Sequence, residues 1–416
     1  MPSTLTPPLT TPLTSLPVAS PSAAQQDSLA LNGARAPASA RAQNLTNHEH
    51  IGFELGWDYA HHRLSPPAPY GLDPSPLFSG LLAGQAAFGA RTLQPTRFVR
   101  KWLQLRLNAW LRGRSVELFQ VTPHYLQQID VSHCPVRRVT LSSATLEGSD
   151  ASVDRVRNDA GYAAGNLAVM SAQANHAKAA YGYRDAMKFA LALEAGKHPG
   201  VGGKSLKSTP VSGMSLGSKP VGGLHGLTAS QWARVAVLCS FVEPLTHEEA
   251  CGLPMLLLPP NRLHLLNPAQ ALQAFVSQQL LKAGWSQRVS RMETLLPGKP
   301  TRRAFRDFFH ALLPRVLEAG RTQEVHRARW AIEDAWRNPL VLARWSAFAR
   351  QLSAAQCEAL IVRASARHLG ALSAHQHTEA QATEGWNLDS RGYVPHAVLM
   401  DRSARRLVPV QASLPL

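Results

Sequence analysis

The most specific pattern in this chain is H-C-P-V-R-R-V-T-L-S-S-A-T-L-E-G-S-D-A-S-V-D-R-V-R-N-D-A-G-Y-A-A-G-N-L-A-V-M-S-A-Q-A-N-H-A-K, which runs from His133 to Lys178. A strand-like run ends at Asp154 and Arg155, and a helical run ends with Asn175 and Lys178. Glycines and short polar residues recur where the short elements meet, as is typical of turns. The stretch therefore predicts a short strand, turns and a helix, in that order.

The order of these residues resembles the ββα-metal core of HNH-type endonucleases. The resemblance is to the variant in which S-x-D-R, G-Y-x-x-G-N and N-x-x-K follow one another. It covers about 45 of the 416 residues, and C-P-V at 134–136 is similar to the opening of some phage and bacterial members. The matching residues are Ser152, Asp154, Arg155, Gly161, Tyr162, Gly165, Asn166, Asn175 and Lys178.

The resemblance implies phosphodiester hydrolysis assisted by one divalent metal ion. A cation neutralises charge that develops on the phosphate oxygens, and a base deprotonates the attacking water. In the family, the positions of Asp154 and Asn175 hold the metal, and such oxygen ligands suit Mg²⁺ or Mn²⁺. Asn166 matches the residue that supports the loop and orients the catalytic histidine.

The chain departs from the family at the usual catalytic histidine, where it has Arg155. An arginine cannot accept a proton at neutral pH. His133 or His176 could supply the base, the metal-bound water could need none, or the site could bind DNA without cutting it, with Arg155 on a phosphate. His176 follows Asn175 directly, so the two side chains diverge by about 100° on a helix.

A structural interpretation stands beside the catalytic one. Asp154, Asn166 and Asn175 could instead cap the turn and tie the hairpin to the helix, a common use of short polar side chains. The sequence therefore favours a DNA-acting protein capable of metal-dependent cleavage or nicking. The alternative is a non-catalytic DNA-binding or scaffold protein in which the ββα unit is structural.

The charge balance points to a polyanionic partner. The formal net charge is +16 and the sequence pI is about 10.3, which favours nucleic acid because binding releases phosphate counterions. The cations of the helical run at 97–114 are predicted to lack acidic partners, which indicates a surface that faces phosphates; the alternatives are a solvated amphipathic face and a membrane-surface helix. The cations predicted to contact nucleic acid are Arg97, Arg100, Lys101, Arg106, Arg112, Arg114 and Lys178.

Two further groups favour ordinary structural roles. Lys299, Arg302, Arg303 and Arg306 form a second basic cluster near a helix start, and the interleaved phenylalanines are predicted to be core residues with a basic outer face. The histidines near the first helix lack a carboxylate in ligand register, so we expect them to be exposed or capping residues. They are His48, His50, His61 and His62.

Cysteine usage and hydropathy favour a cytoplasmic protein. The four cysteines lie far apart and form no C-x-x-C pair, so neither a zinc site nor a disulfide framework is indicated. The N-terminal residues lack the pattern of a signal peptide, and no stretch of about 18 apolar residues predicts a membrane span.

The expected fold is mainly α: a helical protein of several units with a small ββα insertion. The predicted boundaries are a disordered Pro/Ser/Thr/Ala-rich tail at 1–45, a helical region at 46–114 and the ββα unit at 115–195. A Gly/Ser/Lys-rich linker at 196–226, a helical domain at 227–375 and an irregular tail at 376–416 complete the chain. Within the helical domain, residues 268–285 are predicted to form one helix, and Thr228 and Ser230 are both candidates to cap the first helix.

Overall fold

A computed structural model describes residues 47–68, 70, 75–196, 223–370 and 378–394. The described part is mainly helical, with one small antiparallel sheet of two strands. This confirms the predicted helical class. The predicted tail at 1–45 and most of the predicted linker lie outside the described residues, as does the end of the chain from residue 395.

The first helices form a small cluster of their own. They are α1 (Asn47–His61), α2 (Pro76–Phe88) and α3 (Arg97–Leu111), and α4 (Pro123–Ile129) follows. Leu55, Leu77 and Leu103 are each at most 1% exposed in the core between the first three. Thr96 and Thr122 cap α3 and α4 by accepting a hydrogen bond from the backbone N–H three residues later.

The ββα unit consists of β1 (Ala151–Arg155), β2 (Leu167–Ser171) and α5 (Ala172–Lys178). The strands pair antiparallel with Val153 opposite Val169, and every residue of β2 is buried. A hairpin of two strands is marginal alone, so packing on both of its faces is what makes it stable. Ser171 ends β2 and caps α5, because its hydroxyl accepts a hydrogen bond from the Ala174 N–H.

The remaining helices build one large core with this unit. They are α6 (Tyr183–Glu194), α7 (Ala229–Ser240), α8 (His247–Cys251), α9 (Pro268–Leu280), α10 (Trp285–Leu295), α11 (Gly298–Ala319), α12 (Val325–Ala335), α13 (Pro339–Ala349), α14 (Ala354–Ala366) and α15 (Glu379–Ala382). Buried residues of the ββα unit, such as Met170, belong to the same core cluster as Trp232 and Phe308. The core therefore continues across the boundary predicted between residues 195 and 227.

Two local features of the helical region were predicted with different success. Of the two capping candidates, Thr228 caps α7 in a reciprocal capping box with Gln231. The single helix predicted over 268–285 is instead two helices, α9 and α10. Gly284 separates them at a φ of 71°, a left-handed conformation that a glycine adopts without a steric penalty and that an α-helix does not contain.

Part of the predicted irregular tail is structured. Within residues 378–394, Trp386 is 0% exposed and its indole N–H donates to the Ala164 carbonyl at 3.0 Å. The Trp386 carbonyl accepts a hydrogen bond from the Gly161 N–H at 2.7 Å. This segment therefore packs against the loop that joins β1 to β2, more than two hundred positions away in sequence, and it belongs to the fold.

No helix in the described residues is long and apolar enough to cross a lipid bilayer.

Candidate nucleic-acid interface and the ββα unit

Asp154 and Lys178 form a buried ion pair between β1 and α5. The Lys178 ammonium lies 3.0 Å from Asp154 Oδ2 and donates to the Arg155 carbonyl at 3.0 Å. Lys178 is 0% exposed and Asp154 is 4% exposed. Burial raises the pKa of the Asp154 carboxyl, and the Lys178 charge opposes that shift. Lys178 therefore has no exposed surface with which to contact nucleic acid, which corrects its predicted role.

A second contact joins the same two elements. The Asn175 amide nitrogen donates to the Ser152 hydroxyl at 2.7 Å. Side chains two apart on a strand share a face, as do side chains three apart on a helix. The S-x-D pattern of β1 and the N-x-x-K pattern of α5 thus face each other, and their spacings match as two parallel contacts between strand and helix.

Asn166 fastens the loop between the strands. Its side-chain oxygen accepts from the Arg157 N–H at 2.8 Å, and its amide nitrogen donates to the carbonyls of Arg157 and Gly161, both at 3.1 Å. Asn166 is 0% exposed, so its hydrogen bonds replace those that water would supply. These contacts agree with the loop-supporting half of the role that the resemblance implied.

The conformation and surroundings of Gly165 explain why a glycine precedes Asn166. Its φ is +86°, and a Cβ at this position would lie 2.3 Å from the His264 ring. The Gly165 N–H donates to the Tyr125 hydroxyl at 2.9 Å, and its carbonyl accepts from the His264 N–H at 3.0 Å. Both the backbone conformation and the close approach require a residue without a side chain.

The Arg155 side chain forms hydrogen bonds with the backbone of the same loop. Its guanidinium donates to the carbonyls of Ala160 at 2.7 Å and Asn158 at 3.1 Å, and it lies 5.2 Å from the centre of the Tyr162 ring. These contacts direct the side chain to the backbone of its own loop. The structure therefore places Arg155 where it closes the turn, the position in which the family pattern expects a histidine.

Neither candidate base is placed beside Asp154. The His133 ring stacks on His326 at 4.2 Å and meets the edge of Trp330, both on α12, and its ring nitrogens lie 2.9 Å from the Ser132 hydroxyl and 3.4 Å from the Thr140 hydroxyl. Burial lowers the pKa of His133, with a smaller contribution from His326. His176 is exposed on α5. The structure therefore does not bring His133 together with Asp154, and His176 remains on the outer side of its helix.

The residues predicted to hold a metal do not fit that role in this arrangement. Asp154 directs its carboxylate at an ammonium group inside the core, and Asn175 is engaged with Ser152. Across the described part of the chain, no cluster of three or more His, Cys, Asp or Glu side chains is placed to hold an ion. A divalent cation at Asp154 would have to displace the Lys178 ammonium, because two cations cannot share the buried carboxylate at low cost.

Several cations of the basic helix α3 have acidic partners that its sequence did not indicate. Arg97 and Lys101 both contact Asp130, and Arg106 is buried against Asp58 and the Trp102 ring. The expectation that these cations lack acidic partners is wrong for these three, because the partners come from α1 and the end of α4. Arg114 donates to the Arg391 carbonyl and stacks on Tyr393. Arg100 and Arg112 are exposed, and neither has an ion pair within the described residues.

The beginning of α11 carries a group of exposed basic residues. Lys299, Arg302 and Arg303 are exposed and have no acidic partner among the residues described, whereas Arg306 contacts Glu293. The first turn of α11 contains no acidic residue and no side-chain cap. The partial positive charge of the helix start adds to that of the side chains. Phe305 and Phe308 are buried on the opposite face, which confirms their predicted place in the core.

The structure brings together a group of arginines around Asp334 that the sequence patterns did not predict. Arg138, Arg234 and Arg337 surround the carboxylate of Asp334, and Arg138 also pairs with Glu333 at 3.2 Å. The only local signal is the arginine in W-A-R-V-A-V, a charge in the middle of the otherwise apolar helix α7. Its partners lie about a hundred residues away on both sides, so no spacing rule could have joined them.

Comparisons of the chain with protein-family models, curated proteins and solved structures found no match.

Proposed function

We propose that this protein binds nucleic acid, with DNA as the leading candidate, through an exposed basic surface that includes the beginning of α11. The observation that carries the proposal is the group Lys299, Arg302 and Arg303, which is exposed beside an uncapped helix start in a chain of net charge +16. Such a surface gains affinity by releasing counterions from phosphates. Two further exposed cations are Arg100, which lies on α3, and Arg112, which follows α3.

In this proposal the ββα unit is a structural module and does not cut DNA. The contacts of Asp154, Asn166 and Asn175 support this alternative, since each polar group is paired with a residue of the unit itself. The resemblance to HNH-type endonucleases then reflects a shared way of fastening a hairpin to a helix. The position of Arg155, bonded to its own loop, supports the same interpretation.

Binding is tested by fluorescence anisotropy with a labelled DNA duplex over a range of salt concentrations. Charge reversal of Lys299, Arg302 and Arg303 to glutamate is expected to lower affinity by at least about tenfold. The slope of log affinity against log salt concentration should become shallower by about 0.9 for each phosphate that the variant no longer neutralises. The matched control reverses Lys188, Arg321 and Arg344, which are also exposed cations and lie away from the beginning of α11. Equal effects in the two variants would contradict a defined surface at α11.

Catalysis is tested separately with supercoiled plasmid, Mg²⁺ or Mn²⁺, and EDTA as a control. We expect no metal-dependent nicking above background. The informative variant is Asp154→Asn with Lys178→Met, which removes both charges of the buried pair together. Nicking by the wild-type protein that disappears in this variant, while folding and DNA binding persist, would overturn the structural assignment of the ββα unit.

A further inference from the structure

A cavity of about 680 Å³ lies between the start of α7, the middle of α11 and the loop that joins α12 to α13. Its volume is within the range of about 300–1,000 Å³ that is usual for small-molecule sites. Arg234, Arg315 and Arg337 line the cavity together with Asp334, so three cations and one anion meet there. Pro314 and Val341 supply part of an apolar wall.

The charges around this cavity do not balance. Four arginines, Arg138, Arg234, Arg329 and Arg337, contact only two carboxylates, those of Glu333 and Asp334. Glu333 is 2% exposed, and it also accepts a hydrogen bond from the Leu258 N–H. The cluster therefore carries two more positive charges than negative charges. Arg315 is not included in this count, because it pairs with Glu318.

Arg234 is the buried member of the lining. It is 8% exposed, and its guanidinium donates to the Val136 carbonyl at 3.0 Å while lying 3.8 Å from the Asp334 carboxylate. Its Nε has no hydrogen-bond partner within the described residues. Burial and the charge of Arg138 lower the pKa of Arg234 to about 10. A charged side chain held in this way is stabilised by an additional anionic partner.

Helix starts add to the positive potential. Ser230 in the first turn of α7 and Asn338, the N-cap of α13, both line the cavity. Both helices are long enough, at 12 and 11 residues, for their backbone dipoles to favour an anion near these ends. A planar guanidinium matches the oxygens of a phosphate group better than it matches a halide or a neutral ligand.

From these features we infer that the cavity is a binding site for a phosphate group, with Arg234, Arg315 and Arg337 as its recognition residues. The apolar wall fits a ligand whose phosphate is attached to an organic body, such as a nucleoside monophosphate. The same chemistry is present at the phosphorylated end of an oligonucleotide. The site is separate from the basic surface at α11 and does not depend on the proposed nucleic-acid binding.

The experiment is isothermal titration of the full chain with inorganic phosphate, adenosine monophosphate, and a DNA oligonucleotide carrying either a 5′-phosphate or a 5′-hydroxyl. The test variant is Arg315→Gln with Arg337→Gln, since these side chains are 55% and 42% exposed and their replacement is expected to leave the core intact. The control is Arg344→Gln with Arg350→Gln, two exposed arginines outside the lining. A third protein, Arg234→Met, tests the buried cation, and circular dichroism establishes whether it is folded.

We expect phosphate or adenosine monophosphate to bind the wild-type protein and the control, and to bind the test variant at least about tenfold more weakly, as expected when charge-assisted hydrogen bonds are removed. A preference for the 5′-phosphorylated oligonucleotide that only the test variant loses would identify a nucleic-acid end as the source of the phosphate. Absence of binding by every probe, or equal binding by test and control variants, would overturn the inference. The affinity for the 5′-hydroxyl oligonucleotide, which lacks the terminal phosphate, should be the same in the test and control variants, so it reports on the proposed nucleic-acid surface separately from the cavity.

Discussion

The ββα unit and the beginning of α11 use charged residues in opposite ways. In the ββα unit, Lys178 is completely buried and its ammonium is engaged by Asp154 and a backbone carbonyl. At α11, Lys299, Arg302 and Arg303 are exposed and have no acidic partner in the described structure. A dense run of polar or basic residues therefore has no fixed meaning. What matters is whether the periodicity of the element directs those residues to another element or to solvent.

The largest expected effect of a substitution is at the buried pair of Asp154 and Lys178. Asp154→Asn leaves the Lys178 ammonium without its counter-charge, and we expect a loss of about 3–5 kcal/mol in the free energy of unfolding, measured with urea. Adding Lys178→Met should restore much of that loss, because the second change removes the uncompensated charge. Asp159→Asn, at an exposed aspartate in the adjacent loop, is the control and should change stability by less than about 0.5 kcal/mol. A small effect of Asp154→Asn alone would mean that the pair does not hold β1 to α5.

The next effect concerns the loop that Asn166 fastens. Gly165→Ala adds a Cβ 2.3 Å from the His264 ring at a φ of +86°, so steric overlap and backbone strain act together. We expect a cost of about 3 kcal/mol. Gly89→Ala is the matched control, since Gly89 also has a positive φ of +53° but has nothing within 4 Å of an added Cβ. Similar melting temperatures for the two variants would show that the approach of His264 is unimportant.

A smaller effect isolates the second contact between β1 and α5. Ser152→Ala and Asn175→Ala each remove one partner of a half-buried hydrogen bond, and each should destabilise the protein by about 1 kcal/mol. The double variant should cost less than the sum of the two, since the shared bond can be removed only once. Strict additivity in the unfolding free energies would contradict a direct hydrogen bond between Ser152 and Asn175.

The smallest expected effect is a pH dependence at His133. Its folded-state pKa is lowered, first by burial and then by His326, while Glu324 opposes the shift. The folded protein therefore binds fewer protons than the unfolded chain, and this contribution to stability is lost as the pH falls below about 6.5, the ordinary histidine pKa. His133→Gln should flatten the stability profile between pH 7 and pH 5, measured by thermal unfolding. A profile parallel to that of the wild-type protein would remove His133 from the titrating groups.

The sequence predicted the ββα order and several helices because these depend on local patterns. The cap at Thr228 follows from residues three apart, whereas the ββα order came from the resemblance carried by the S-x-D-R, G-Y-x-x-G-N and N-x-x-K series. The contact between the S-x-D pattern and the N-x-x-K pattern could also have been predicted from the sequence, since it depends only on the side-chain periods of a strand and a helix. The neutralisation of α3 could not, because Asp58 and Asp130 reach Arg106 and Arg97 only after the helices pack.

By itself, then, the sequence determined the helical class and the positive charge, which arise from composition and short-range periodicity. Only the tertiary structure decided which charges are neutralised inside the protein. Lys178 is buried because α5 lies across β1, and Arg234 faces a cavity because α11 and the start of α13 close around the start of α7. The physical reason is that the energy of a charge depends on its surroundings in space, through burial and the position of its counter-charge. Those surroundings come from residues far apart in the chain.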